Sequence, residues 1–231
     1  MKRIIPLLLI LFTIIIGLFL KTSSVGKISV SKTISEKTSG QYFKTTLSYP
    51  ESSTDKYPEI YYYISKTKND FVKEVSSITL EDAEIMHLSD GRQYELFIDY
   101  KVATSSKSIS YIITTYIFEG GAHGITSVNS FTYDKSGKII NINDVLKGDY
   151  LNRLSDISRA YFPAVLGDYY NDEMLKAGTE AKAENFSTWY LSDKTVNIIF
   201  GDYSIGPYVL GIQELSIDKK EISDIIFDYY K

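Results

Sequence analysis

Apolar and polar positions alternate strictly through Tyr94, Leu96, Ile98, Tyr100 and Val102, and again through Ile109, Tyr111, Ile113, Thr115 and Ile117. A period of two turns one face of each segment to a core, so both predict strands; the Thr104-Ser105-Ser106 link predicts a hairpin. Ile125–Tyr133 predicts a third strand and Lys138–Ile142 a fourth, joined by the turn residues Asp134-Lys135-Ser136-Gly137. The four read as an antiparallel meander. Upstream, a short strand is expected near 27–34 and another over Gln41–Tyr49, stopped by Pro50. Between these strands the period changes. Ile60, Ile64, Phe71, Val75 and Ile78 fall on one face of a helix whose first turn tolerates Pro58.

After the meander, Leu151, Leu154, Ile157 and Tyr161 predict a helix over Tyr150–Phe162, ended by Pro163. A short helix over Asn171–Gly178 follows. Strands are then expected at Phe186–Leu191, Thr195–Phe200 and Gly211–Ile217, with a last helix around Lys219–Ile226. The fold class expected is α+β, antiparallel sheets packed with helices.

The first residues follow a different pattern. Met1-Lys2-Arg3 is a basic start, and Ile4–Leu20 is an apolar run broken only by Pro6, Thr13 and Gly17. As a helix it would reach about 25 Å, short of a bilayer core but longer than the apolar part of an ordinary signal peptide. Cleavage positions are weak, with Thr22 and Ser24 or Ser24 and Gly26 as the small residues available. Residues 1–21 therefore read as a signal peptide or membrane anchor, retention being favoured. The basic start places everything after it outside the cytoplasm. Residues 22–40, rich in Ser, Thr, Lys and Gly, read as a tether.

Composition removes several classes of chemistry. With no cysteine among 231 residues, disulfides, thiolate metal sites and cysteine nucleophiles are excluded, and so is a lipid anchor on cysteine. Two histidines, His87 and His123, are too few for an imidazole-based metal site, and no metal or cofactor is expected. A net charge of −4 argues against a nucleic-acid partner. The charge is unevenly placed: residues 119–231 carry 11 basic and 17 acidic side chains, a balance of −6, against 12 and 12 in residues 21–118. An acidic face for a cationic partner is one reading; ordinary solvated surface is the other. Acid pairs such as Asp172-Glu173, Glu180 with Glu184, and Glu81-Asp82 with Glu84 cannot be set by spacing alone at the separations of a glycosidase.

Two motifs stand out. Gly120-Gly121-Ala122-His123-Gly124 lies between two strands, and its glycines imply positive φ or close approach of another segment. It lacks the Lys-Ser/Thr pair of a phosphate loop. His123 is expected to lock the turn by a hydrogen bond. The second motif is Tyr203-Ser204-Ile205-Gly206-Pro207-Tyr208-Val209-Leu210-Gly211, a sharp turn between strands whose tyrosines either pack inward or form a platform. Trp189, Tyr203 and Tyr208 are the candidate ligand-facing aromatics.

The first motif, with Phe131-Thr132-Tyr133-Asp134 and Gly137-Lys138-Ile139-Ile140 behind it, resembles the extracytoplasmic domains of RsiV-type anti-sigma factors and the accessory domain of PdaC-type deacetylases. The second motif, preceded by Trp189-Tyr190, resembles the later signature of the same group. The resemblance covers roughly residues 40–228. It implies a PdaC-like part over 41–118 and an RsiV-like part over 119–231. It also implies that Gly120, Gly121, His123, Gly124, Gly206, Pro207, Tyr208 and Gly211 form structural or binding turns. Only three residues precede the apolar run, so no sigma factor is expected as a partner. The two histidines do not form the His-x-x-x-His pattern of the deacetylases. The reading is an envelope binding module with no catalytic residues, facing a lysozyme-like cationic protein or a wall glycan. The alternative is a small envelope enzyme acting on peptidoglycan.

Overall fold

The computed structural model describes residues 32–85, 88 and 92–231. The apolar run Ile4–Leu20 and His87 lie outside them. Six strands form the first sheet in the order β1 (Thr33–Ser39), β2 (Phe43–Pro50), β3 (Tyr94–Thr104), β4 (Ser108–Phe118), β5 (Ile125–Asp134) and β6 (Ile139–Ile140). The hairpin β3–β4 and its extension into β5 follow the expected alternation, pairing Ile98 with Thr115 and Ile113 with Asn129. One pairing departs from the antiparallel expectation. β2 and β3 run parallel, Phe43 opposite Tyr94 and Leu47 opposite Ile98. Parallel neighbours need a crossover, supplied by α1 (Pro58–Val75) and α2 (Leu80–Ile85). α1 lays Ile60, Ile64, Phe71 and Val75 on the sheet against Leu47, Leu96, Ile98 and Ile113. α2 starts in a reciprocal cap: Thr79 Oγ1 accepts from the Asp82 amide, and Asp82 Oδ2 accepts from the Thr79 amide.

A second sheet, β7 (Trp189–Leu191), β8 (Thr195–Phe200) and β9 (Gln213–Asp218), is antiparallel throughout. α3 (Tyr150–Leu166) and α4 (Asp172–Gly178) cover it, and Leu154, Phe162, Leu175, Phe186 and Phe200 fill a second core. The fold is α+β, with two sheets and two cores. Both cores belong to one compact unit, Ser31–Lys231.

Four expectations need correction. The boundary between residues 118 and 119 falls inside the first sheet, because β5 and β6 continue its ladder and Tyr133 belongs to its core. The strand expected near 27–34 lies at Thr33–Ser39, β1, at the end of the stretch read as a tether. Pro163 lies within α3 instead of ending it; the helix stops at Gly167, whose φ is +53°. Residues 219–226 make turns and not a helix. Ile222 and Ile226 are buried at helical spacing, but Ile226 is drawn into an antiparallel bridge with Leu146.

Both sheets point the same way. The turns β3–β4, β5–β6 and β7–β8, with the end of β9, gather at one end, since Ser108 pairs with Asp134 and Thr195 with Asp218, and the Ser106 amide donates to Asp193 at 2.6 Å. We call this the hairpin end. The β4–β5 and β8–β9 connections meet at the other, the loop end, where the Thr126 amide donates to Asp202 at 2.9 Å.

Candidate functional site at the loop end

The two glycine motifs, some 80 residues apart in sequence, close on each other at the loop end. After β4 the chain folds back sharply. A Cβ at Gly124 would stand 2.5 Å from the Ile117 carbonyl oxygen and 2.5 Å from the Tyr116 ring, so only glycine fits. The Gly124 amide donates to the Tyr116 hydroxyl at 3.2 Å. His123 Nδ1 lies 3.0 Å from the Gly124 carbonyl oxygen. A carbonyl only accepts, so Nδ1 carries a proton in this contact. This is the expected turn lock, yet the ring itself is exposed.

The ring does more than lock the turn. Tyr208 stacks on it with centroids 3.7 Å apart and planes 13° from parallel, and Tyr203 closes the group at 5.7 Å from Tyr208 and 6.5 Å from His123. The Tyr203 hydroxyl stands 3.5 Å from His123 Nε2. Tyr203 is 47% exposed, so the group presents an aromatic face to solvent. Burial, with Asp202 as the next cause, raises the Tyr208 hydroxyl above its usual range, keeping it a neutral donor.

Tyr203 is the one non-glycine residue with positive φ among those described, at +61°. A bulky side chain there costs of order 1–3 kcal/mol and is held only by its surroundings, a pattern that concentrates at functional sites. Two close approaches hold it. The Ser204 carbonyl presses on the end of α4, where a Cβ at Gly178 would lie 1.8 Å from that oxygen, and a Cβ at Gly206 would lie 2.4 Å from the Leu210 side chain. Gly206 thus serves by space and not by positive φ. Gly121 is the reverse, with φ of +91° and nothing within 4 Å of its Cβ position. Pro207 and Gly211 flank the short 3-10 turn Tyr208–Leu210.

Trp189 does not join this face. It is 4% exposed and packs in the second core, opposite Ile198. It therefore cannot offer a ring to a ligand. Tyr116, Asp202 and Gly178 belong to the site's construction and were not singled out in the sequence. Tyr116 and Asp202 sit next to the glycine motifs, but Gly178 gives no sign beyond ending a helix.

On the outer side of the first loop, Gly121 and Ala122 border a polar recess with Lys44, Arg92, Gln93, Glu95 and Phe118. Lys44 and Glu95 pair across it at 2.8 Å. Nearby, burial raises the Glu119 carboxyl, with Glu74 adding to the effect. The acid pairs weighed above are engaged in local roles: Asp172 bonds Lys176 at 2.7 Å, Glu180 bonds Lys182 at 2.8 Å, and Asp82 caps α2. Among the described residues, no three His, Cys, Asp or Glu side chains gather as a metal site would require.

The class of protein is therefore an α+β module with two sheets and an aromatic loop end. Residues 36–126 match the family model described as "Deacetylase PdaC", and residues 143–220 match "Protein of unknown function (DUF3298)". A PdaC-matching region is thus followed along the chain by a DUF3298-matching region. It is 28% identical over 212 residues to the peptidoglycan-N-acetylmuramic acid deacetylase PdaC of Bacillus subtilis, a match covering 90% of this chain and 44% of that protein. The chain thus spans less than half the length of this relative. Two solved structures share the fold. One is a DUF3298 family member from Bacteroides fragilis, 19% identical, with a TM-score of 0.59 over 85% of this chain and 93% of that one. The other is a DUF3298 family protein from Pseudomonas aeruginosa, 16% identical, with a TM-score of 0.58 over 86% and 94%. The second part is therefore matched as DUF3298; these matches do not extend to the RsiV-type name.

Proposed function

We propose that this chain is a bacterial cell-envelope binding module, without catalysis of its own, whose His123–Tyr203–Tyr208 face recognises a glycan of the wall. The observation that carries the reading is the exposed aromatic stack, built on a backbone strained at Tyr203. Sugar rings present C–H faces that pack on aromatic planes, while tyrosine hydroxyls and the imidazole supply hydrogen bonds at the edge. The relative named as a peptidoglycan deacetylase supports the same substrate class. Envelope location and retention through Ile4–Leu20 form part of the proposal.

A second reading rests on the −6 balance of residues 119–231, which favours a cationic, lysozyme-like protein. The two differ in salt dependence. Steering by charge weakens as the screening length falls to about 10 Å at 0.1 M, whereas ring stacking is little affected. Calorimetric titration of the full chain with soluble wall fragments and with lysozyme, at two salt concentrations, separates them. Binding of the fragments with weak salt dependence is expected. Binding of lysozyme alone, with affinity falling as salt rises, would replace the glycan by the protein ligand.

A further inference from the structure

The hairpin end has its own chemistry. The four turns and strand ends gathered there, residues 104–109, 134–138, 192–195 and 218–220, hold six lysines and three aspartates, although the whole chain is net negative. Each aspartate accepts from backbone amides: Asp134 from Ser136 and Lys138, the exposed Asp193 from Ser106, and Asp218 from Lys220. Of the lysines, Lys219 is buried, while Lys135, Lys138, Lys194 and Lys220 are exposed. Lys107 lies over the ring of Tyr229 at 4.3 Å. Tyr229 is 56% exposed and Phe227, two residues before it, is 40% exposed. Lys135 also donates to the Ser108 carbonyl oxygen at 3.5 Å, and Asp228, between the two rings, pairs with Lys231 at 2.6 Å. Exposed ammonium groups around exposed aromatic rings are the composition that settles at a lipid headgroup layer.

Chain direction supplies a second, independent argument. β2 runs parallel to β3, toward the hairpin end, and β1 pairs Thr33 with Pro50 at its finish. Thr33 also bonds the Tyr100 hydroxyl at 2.7 Å, near the end of β3. The chain arriving from Ile4–Leu20 therefore enters the fold at the hairpin end, with only residues 21–32 between. β4, 11 residues long, separates this end from the aromatic face by about 35 Å at roughly 3.3 Å per residue.

We propose that the hairpin end is a membrane-facing surface, seated on anionic lipid headgroups through Lys135, Lys138, Lys194 and Lys220 with Tyr229 and Phe227 at the interface, so that the His123–Tyr203–Tyr208 face points away from the bilayer. The proposal rests on the reading of Ile4–Leu20 as a membrane segment. Anionic lipid attracts exposed lysines only within about a screening length, so contact and orientation rise together.

Because the chain has no cysteine, single labelling sites are readily introduced. The full chain is reconstituted into vesicles of phosphatidylglycerol with phosphatidylethanolamine, or of phosphatidylcholine alone. It carries a nitroxide at Ser136→Cys on the hairpin end or Ala122→Cys on the loop end. The expected result is relaxation by lipid-dissolved oxygen several-fold stronger at 136 than at 122 in anionic vesicles. That contrast should collapse in phosphatidylcholine and when the four lysines are replaced by Gln. Equal relaxation at the two sites, or a contrast indifferent to lipid charge and to the lysines, would overturn the proposal. So would loss of the contrast to soluble poly(glycerol phosphate), which would assign the lysines to an anionic polymer instead. Flotation of the chain with both vesicle types but no contrast rejects the surface alone. Failure to float with either rejects the membrane reading as well.

Discussion

The two ends of the same sheets are built by opposite means. At the hairpin end the connections are short and saturate their own polar groups: the Ser105 hydroxyl accepts from the Lys107 and Ser108 amides, Ser192 serves Lys194 and Thr195 likewise, and Asp134 holds its turn. At the loop end the connections are long, rich in glycine and tyrosine, and held by tight contact between segments distant in sequence. Turns that satisfy themselves leave Lys138, Lys194 and Lys220 exposed for a diffuse charged surface. Loops that depend on one another fix a few rings in a defined arrangement, at the cost of strain at Tyr203. Specific recognition belongs at the second kind of end, and general adhesion at the first.

The sharpest way to break the contrast is to push the Tyr203–Gly211 loop off α4. Gly178→Ala places a methyl group 1.8 Å from the Ser204 carbonyl oxygen, a clash of backbone with backbone. The loss of stability should exceed the roughly 1–3 kcal/mol of an ordinary overpacked site. Gly121→Ala meets only open space at φ of +91°, and about 1–2 kcal/mol is expected. Denaturant unfolding compares the two; equal losses would mean that α4 does not brace the Tyr203–Gly211 loop. Trp189→Ala empties a position of the second core and should cost about 3–5 kcal/mol. Ligand affinity per folded molecule should be unchanged, and a selective loss of affinity would return Trp189 to the binding face.

Tyr203→Gly should act in the opposite sense. Relieving a strained φ of +61° stabilises the fold by about 1 kcal/mol while removing a ring from the face. A drop in melting temperature would mean that the ring's packing outweighs the strain. The smallest expected effect is electrostatic. Burial first, and Glu74 second, hold the Glu119 carboxyl above its usual value. Its contribution to stability is therefore complete below the unfolded value of roughly 4.3 and is lost as pH rises through the folded one. Glu119→Gln should raise stability at pH 7 and leave it unchanged at pH 4. At the hairpin end the sign reverses. The Ser106 amide holds Asp193 below the usual carboxylate range, so its contribution is present above roughly 3.9 and lost as pH falls through the folded value. Melting curves of Glu119→Gln and Asp193→Asn across pH 3–8 should therefore diverge in opposite directions from the parent.

Much of this contrast was readable from local pattern. β3, β4 and α1 follow from periodicity: Tyr94, Leu96 and Ile98, then Tyr111 and Ile113, are buried at a spacing of two, and Ile60, Ile64, Phe71 and Val75 at helical spacing. Serine, aspartate and glycine marked the turns of the hairpin end for the same reason: their bonds are made within a few residues. What was hidden depends on partners far away. The parallel pairing of β2 with β3 is set by the crossover, and local alternation is the same for either direction. Trp189 looked like a free aromatic because strand position alone does not say which face is covered. Both glycine motifs were visible, but their meeting through Asp202 and Thr126 was not, nor was the support from Gly178. The reciprocal cap of α2, Thr79 with Asp82, was a local signal that could have revealed that helix.

The central claim is that recognition resides at the loop end. It is tested most directly by titrating a defined soluble wall-glycan fragment into three forms of the full chain: the parent, the double variant Tyr203→Ala with Tyr208→Ala, and the variant with Lys135, Lys138, Lys194 and Lys220 changed to Gln. Unfolding curves establish that each is folded. The account predicts that removing the two rings lowers affinity at least tenfold, about 1.4 kcal/mol, while the lysine variant binds as the parent does. Parent-like affinity in the double tyrosine variant, or a loss confined to the lysine variant, would contradict it.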